Sequence, residues 1–135
     1  MGASKEKQVQ KQPRGELVSR VVAMPADANL NGDIFGGWVM SQMDLGASVV
    51  AMRTAGRRVV TVAVDGMSFL YPVNIGDLVS CYGQLESIGR TSMKIRIEVW
   101  VERMSLKGVP LMTTQAMFTY VAIDDNGRPV PVKPE

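Results

Sequence analysis

No histidine occurs anywhere in the chain. A Ser-His-Asp triad, a Cys-His pair and any acid–base step run by imidazole are thereby excluded. There is a single cysteine, Cys81, so no intrachain disulfide forms and one thiol cannot supply a His/Cys zinc site. In its strand-like surroundings Cys81 reads as a small buried apolar residue. No N-terminal apolar segment precedes the first strand, and no run approaches the ~20 apolar residues that a membrane span needs. The cytoplasm is the expected location. A formal net charge of +2 is too small to point to nucleic acid or to an anionic membrane.

What is present fits one domain. The 135 residues are 46% hydrophobic and 21% charged, ordinary values for a globular chain with a real core. Residues 1–14 are polar and without period, which predicts a disordered tail. A short strand is expected from Glu16 to Ala23, stopped at Met24-Pro25. Asp27 to Gly32 is turn chemistry. After Gly36-Gly37 a run without proline extends from Trp38 to about Ala55. Within it Val39, Met43, Gly46 and Val50 form one helical stripe, with Met40, Ala47 and Ala51 beside it. Apolar residues on most sides predict a helix wrapped by something larger.

Strands follow. Val59 to Tyr71 alternates, Pro72 to Asp77 turns, and Leu78 to Ile88 leads into the hairpin signal Gly89-Arg90. Met93, Ile95, Ile97, Val99 and Val101 then alternate with Lys94, Arg96, Glu98, Trp100 and Glu102, which predicts one dry face and one wet face. Leu111 to Ile123 returns, Asp124-Asp125-Asn126-Gly127 closes the domain at residue 128, and residues 129–135 read as a second tail. The fold class is α+β: a five-stranded antiparallel sheet around one long helix.

Asp44 is the only charged residue from Ile34 through Met52. Burying a carboxylate without partners costs several kcal/mol, and alanine would be the better helix former at that position. A lone acid on an apolar helix is therefore a candidate for function; a solvent-facing or arginine-paired structural acid would carry the same pattern. The second feature is Gly32-Asp33-Ile34-Phe35-Gly36-Gly37 at the helix entry. The first N–H groups of a helix lack intrahelical acceptors and suit a developing anion, and glycines admit a ligand to that backbone. Asp44 lies two turns on, roughly 10 Å along the axis. One subunit alone is thus poorly placed to bring the two onto one carbon.

The runs Ala23-Met24-Pro25-Ala26-Asp27-Ala28-Asn29, Asn31-Gly32-Asp33-Ile34-Phe35-Gly36-Gly37-Trp38 and Met40-Ser41-Gln42-Met43-Asp44 closely resemble the bacterial YciA-type acyl-CoA thioesterases. The likeness continues through Val59-Val60-Thr61-Val62, Gly66-Met67, Gly76-Asp77 and Glu98-Val99-Trp100-Val101, and covers about residues 17 to 128. It implies the hotdog fold, homodimers with active sites at the interface, and a trimer of dimers as the larger assembly. It places the catalytic carboxylate at Asp44. Where other hotdog thioesterases carry His-Gly-Gly this chain has Phe35-Gly36-Gly37, and Asn29 keeps the asparagine six positions earlier. The hairpin Gly89-Arg90-Thr91-Ser92 resembles the one that meets the phosphates of coenzyme A.

The implied reaction is hydrolysis of acyl-CoA, over short to medium chains with broad tolerance and without a cofactor or metal. Gly37 and Gly36 would stabilise the oxyanion, Asn29 would position the thioester, and Asp44 would act as general base or as nucleophile. The residues leave that choice open. An acyl-CoA-binding sensor on the same fold is the alternative, but it would not need the acid. A hotdog dehydratase would need a histidine, and a purely structural oligomerisation module predicts no thioester binding at all.

Overall fold

The structure, a computed structural model, describes residues 12–103, 105 and 107–133. Five strands and one helix follow in the order β1 (Glu16–Val22), α1 (Gly36–Ala55), β2 (Val59–Phe69), β3 (Leu78–Ile88), β4 (Ser92–Glu102) and β5 (Leu111–Ala122), with one 3-10 turn at Pro25–Asp27. The strands form one antiparallel sheet in the order β1-β3-β4-β5-β2, so β1 and β2 are its edges. Register shifts interrupt every pairing, for instance between Asp65 and Ser68 in β2, where Gly66 has φ 68°. Each extra residue bends its strand and adds twist. Together they curl the sheet around α1.

The predicted stripe is the buried one. Val39, Met43, Gly46, Ala47, Val50 and Ala51 all pack inside, against Val79, Cys81, Ile95, Ile97, Val99 and Phe118 from the sheet. At Gly46 the contact is backbone-close: a Cβ there would stand 2.5 Å from Val18 Cγ2. The helix ends at Gly56 in the left-handed region, φ 67°, whose N–H donates to the Met52 carbonyl.

Three expectations are corrected. The sheet wraps only one side of α1: Met40 is 41% exposed and Leu45 61%, with Val49 and Met52 beside them. Apolar residues on most sides of the helix therefore do not mean burial on most sides within one chain. The outer face of β4 is not wholly wet. Glu98 and Trp100 are buried there, because Arg14 folds across the sheet and donates to Glu98 from both its backbone N–H and its Nε, while Trp100 Nε1 donates to the same carboxylate. The end of the chain is not a free tail either. Ile123 bridges to Pro129, Val130 N–H donates to Ala122 O, Val132 N–H donates to Arg90 O, and the Val132 side chain is 4% exposed in the core. Prolines remove donors from this segment without stopping its valines from packing. Arg14 shortens the expected N-terminal tail in the same way, and residues 1–11 of that tail lie outside the described residues.

Candidate active site

Asp44 sits at mid-helix with α1 pressed on the sheet, and β2 and β5 bring two hydroxyls to it. Thr61 Oγ1 donates to Asp44 Oδ1 at 2.7 Å. Tyr120 Oη donates to the same Oδ1 at 2.5 Å and also lies 2.9 Å from the Asp44 main-chain oxygen. Thr61 and Tyr120 are register partners across β2 and β5, so one cross-strand pair holds one carboxylate oxygen. The Asp44 side chain is half-buried and accepts from hydroxyls, with no arginine partner among the described residues.

Tyr120 is 1% exposed. Burial pushes its phenol far above the usual tyrosine range, and the hydrogen bond to Asp44 adds to this. The phenol therefore stays protonated and remains a donor.

The helix entry lies at the other end. Phe35 is the N-cap residue without a side-chain cap, and the backbone N–H groups of Trp38 and Val39 both turn to the Phe35 carbonyl. The N–H groups of Gly36 and Gly37 have no acceptor among the described residues. A Cβ on Gly37 would meet nothing within 4 Å, whereas one on Gly36 would lie 3.4 Å from the Phe69 ring. The absence of side chains keeps the backbone at both donors accessible, with open space beside Gly37.

Asn29 is held by its own turn. Its Oδ1 accepts from the backbone N–H groups of Asn31 at 2.8 Å and Asp33 at 3.2 Å. That fixes the amide's orientation and leaves Nδ2 uncommitted. Asn29 and Gly36 both line a cavity of about 350 Å³, closed by Val39, Phe69, Leu70 and Val73. Asp44 does not line it.

The hairpin joins the sheet beside Tyr120, where Ser92 pairs with Val121. Met93 is the β4 partner of Tyr120, so Thr91 lies about 7 Å further along the same strand direction. Gly89 N–H donates to Ser92 O, and a Cβ on Gly89 would come within 2.8 Å of Ser92 Oγ. The carbonyls of Thr91 and Arg90 accept from Ala122 and Val132, so the returning C-terminal segment braces the loop.

A single protomer thus carries two separated groups. Asp44, Thr61 and Tyr120 form one, with Tyr120 paired to Met93 next to the hairpin; Gly36 and Gly37, which begin α1 about seven positions before Asp44 and roughly 10 Å along its axis, form the other, with Asn29 beside Gly36 in the cavity.

Residues 31–107 match the model of the thioesterase superfamily. The chain belongs to the thioesterase superfamily. Among its relatives is the acyl-CoA thioester hydrolase YciA of Salmonella typhimurium, 53% identical over 122 residues, 89% of this chain and 92% of that one. The hexameric broad-specificity acyl-coenzyme A thioesterase HI0827, solved as its Asp44→Ala mutant, superposes with a TM-score of 0.86 at 49% identity, covering 90% of this chain and 89% of its own. A hexameric hotdog-fold thioesterase of Campylobacter jejuni superposes at 0.85 with 38% identity, covering 90% and 93%. The fold is the hotdog fold that the sequence led us to expect.

The two residues whose hydroxyls hold Asp44, Thr61 and Tyr120, do not stand out in the sequence. Thr61 falls within the family-like run Val59-Val60-Thr61-Val62, which assigns it no role; Tyr120 sits in an alternating strand where an inward tyrosine reads as core. The phenol's need for an acceptor is the available signal. Asn29 and Tyr120 lie outside the residues matched by the family model.

Proposed function

We propose that this chain hydrolyses acyl-CoA thioesters at sites shared between two copies of itself. The observation that carries the reading is Asp44. It is a half-buried helix carboxylate with one oxygen held by two hydroxyls and the other without a partner among the described residues, in a chain of the thioesterase superfamily.

In the proposed site Asp44 of one protomer faces Gly36, Gly37 and Asn29 of the other. The two amide N–H groups and the free Asn29 Nδ2 are uncommitted donors, which is what a thioester oxygen needs as it becomes an oxyanion. Asp44 then takes one of two routes. As a base it removes a proton from water while the water oxygen bonds to the acyl carbon; the C–S bond breaks and that proton passes to the CoA sulfur. As a nucleophile it bonds to the acyl carbon and expels CoA thiolate, and water then splits the anhydride to regenerate the carboxylate.

Pairing at β2, an open edge of the sheet, would also cover Val60, Val62 and the exposed side of α1. The solved thioesterases named above are hexameric, which supports a trimer of such dimers. Arg90, Thr91 and Ser92 would take the phosphates of CoA, short to medium acyl chains would be accepted, and the location would be cytoplasmic. No helix among the described residues is long and apolar enough to cross a membrane.

The test is release of CoA from a panel of acyl-CoAs, read with a thiol reagent, with Asp44→Ala alongside. We expect release across several chain lengths that disappears in the mutant. A folded protein that binds CoA yet releases none from any acyl-CoA would be a sensor and would end this reading.

A further inference from the structure

Asp44 is held asymmetrically. Oδ1 accepts from Thr61 Oγ1 at 2.7 Å and from Tyr120 Oη at 2.5 Å, whereas Oδ2 has no partner among the described residues and is not sealed from solvent. A carboxylate on a helix normally rotates about its last bond, and its two oxygens exchange. Two donors on one oxygen stop that exchange. We propose that Tyr120 is a positioning residue for the reaction: its hydroxyl fixes Oδ1 of Asp44, so that Oδ2 is the oxygen that meets water or the thioester carbon.

Three observations make this more than a satisfied core tyrosine. First, a buried phenol needs one acceptor, and the Asp44 main-chain oxygen at 2.9 Å would suffice; the shorter contact nevertheless goes to the carboxylate. Second, Tyr120 is anchored where it cannot drift. Its Cα pairs with Thr61 on one side and Met93 on the other, its ring stacks on Phe118 with centroids 6.4 Å apart, and its backbone belongs to a central strand. The hydroxyl is thus presented by the sheet and not by a loop. Third, the donor is constant, because the phenol stays neutral in its buried setting beside the carboxylate.

The chemical consequence differs from ordinary packing. With Oδ1 occupied, a proton taken from water, or a bond made to the acyl carbon, goes to Oδ2. Pinning also removes the rotational freedom that would have to be lost on the way to the transition state. Removing the phenol hydroxyl should then slow turnover while leaving substrate binding nearly intact.

The inference rests on the proposed thioesterase reading, and the experiment separates the two. Tyr120→Phe, Asp44→Asn and the double variant are prepared in the full chain, and kcat and KM are measured with one good acyl-CoA, with thermal melting as the control for folding. We expect Tyr120→Phe to melt cooperatively and to lose about 10- to 100-fold in kcat, the worth of one hydrogen bond to a charged group, with KM within about twofold of the parent. In the Asp44→Asn background the same change should cost nothing further, since there is no longer a carboxylate to orient. An unchanged kcat in Tyr120→Phe, or a loss that adds in full on top of Asp44→Asn, overturns the inference and leaves the thioesterase reading standing. An active Asp44→Asn overturns both. If Tyr120→Phe does not fold, Thr61→Val removes the other Oδ1 donor from a half-buried position; a parental kcat there overturns the pinning of Oδ1.

Discussion

Glu98 and Asp44 are two carboxylates held on opposite faces of the same sheet, and they are held in different ways. Glu98 is 0% exposed on the outer face, where Arg14 and Trp100 donate to it and Arg96 lies 3.6 Å away. Asp44 is half-buried on the inner face, meets only hydroxyls, and meets them through one oxygen. The contrast shows that burial of an acid does not by itself mark a site. Glu98 is saturated by donors from its neighbours, whereas Asp44 is oriented through one oxygen and keeps the other open, as the proposed reaction requires. The two should respond to mutation in opposite ways.

The largest effect is expected at Asp44. Asp44→Ala should lower kcat by at least about a thousandfold, on the scale of losing a central catalytic group, with the melting temperature little changed. A mutant with parental CoA release would erase the contrast. At Glu98 the pattern inverts. Glu98→Ala leaves a void and deprives Arg14 and Trp100 of their acceptor, so unfolding free energy should fall by about 2–3 kcal/mol, while kcat per folded enzyme holds. Denaturant melts and active-site-normalised rates, taken at one protein concentration, read both quantities. A Glu98→Ala enzyme that is stable but slow would mean that the outer face takes part in the chemistry.

A smaller effect sharpens the comparison at the hairpin. Arg90→Ala should raise KM for acyl-CoA by about three- to tenfold, the order of one exposed charge-assisted contact, and leave kcat alone. Deleting residues 128–135 removes the brace on the Arg90 carbonyl and should raise KM in the same direction. Unchanged KM in both variants would take the hairpin out of CoA binding.

The mildest effect is on pH. Burial raises the Cys81 thiol above its ordinary value of 9.0, and the Tyr120 phenol is raised above 10.0. Both groups keep protons in the folded state at pH values where the unfolded chain has released them. Their contribution is fully present below pH 9.0 and is lost as the pH climbs past 9.0 and 10.0. The melting temperature should therefore decline on the alkaline side, and Tyr120→Phe should flatten the upper part of that decline. A wild-type melting temperature that is flat across this range contradicts the assignment.

Much of the fold and the centre of the site are legible in the amino-acid sequence. The stripe Val39, Met43, Gly46, Val50 marks the buried face of α1; period-two alternation marks β4, and flanking turn signals bound β3, to within a residue. Asp44 stands out because nothing else from Ile34 to Met52 is charged. What escapes is set by long-range register. Thr61 and Tyr120 are 17 and 76 positions from Asp44, and no local period announces which strand residue will face a given helical one. Glu98 reads as wet because alternation distinguishes two faces but does not say what covers the outer one; Arg14, 84 positions away, does. The C-terminal segment reads as a tail through its prolines, although Val130 and Val132 alternate with them in the manner of a strand.

The central claim, a site divided between two copies of the chain, is tested most directly by mixing two dead enzymes. Asp44→Ala and Gly37→Val are each purified, shown to be folded and inactive, then dissociated together and reassembled. In a mixed dimer one site collects both defects and the other collects neither. Random pairing should thus recover about a quarter of wild-type activity from two inactive parents. Recovery near that level is what the account predicts. A mixture that stays as dead as its parents, with mixed dimers shown to have formed, would place Asp44 and Gly37 in the same protomer's site and contradict it.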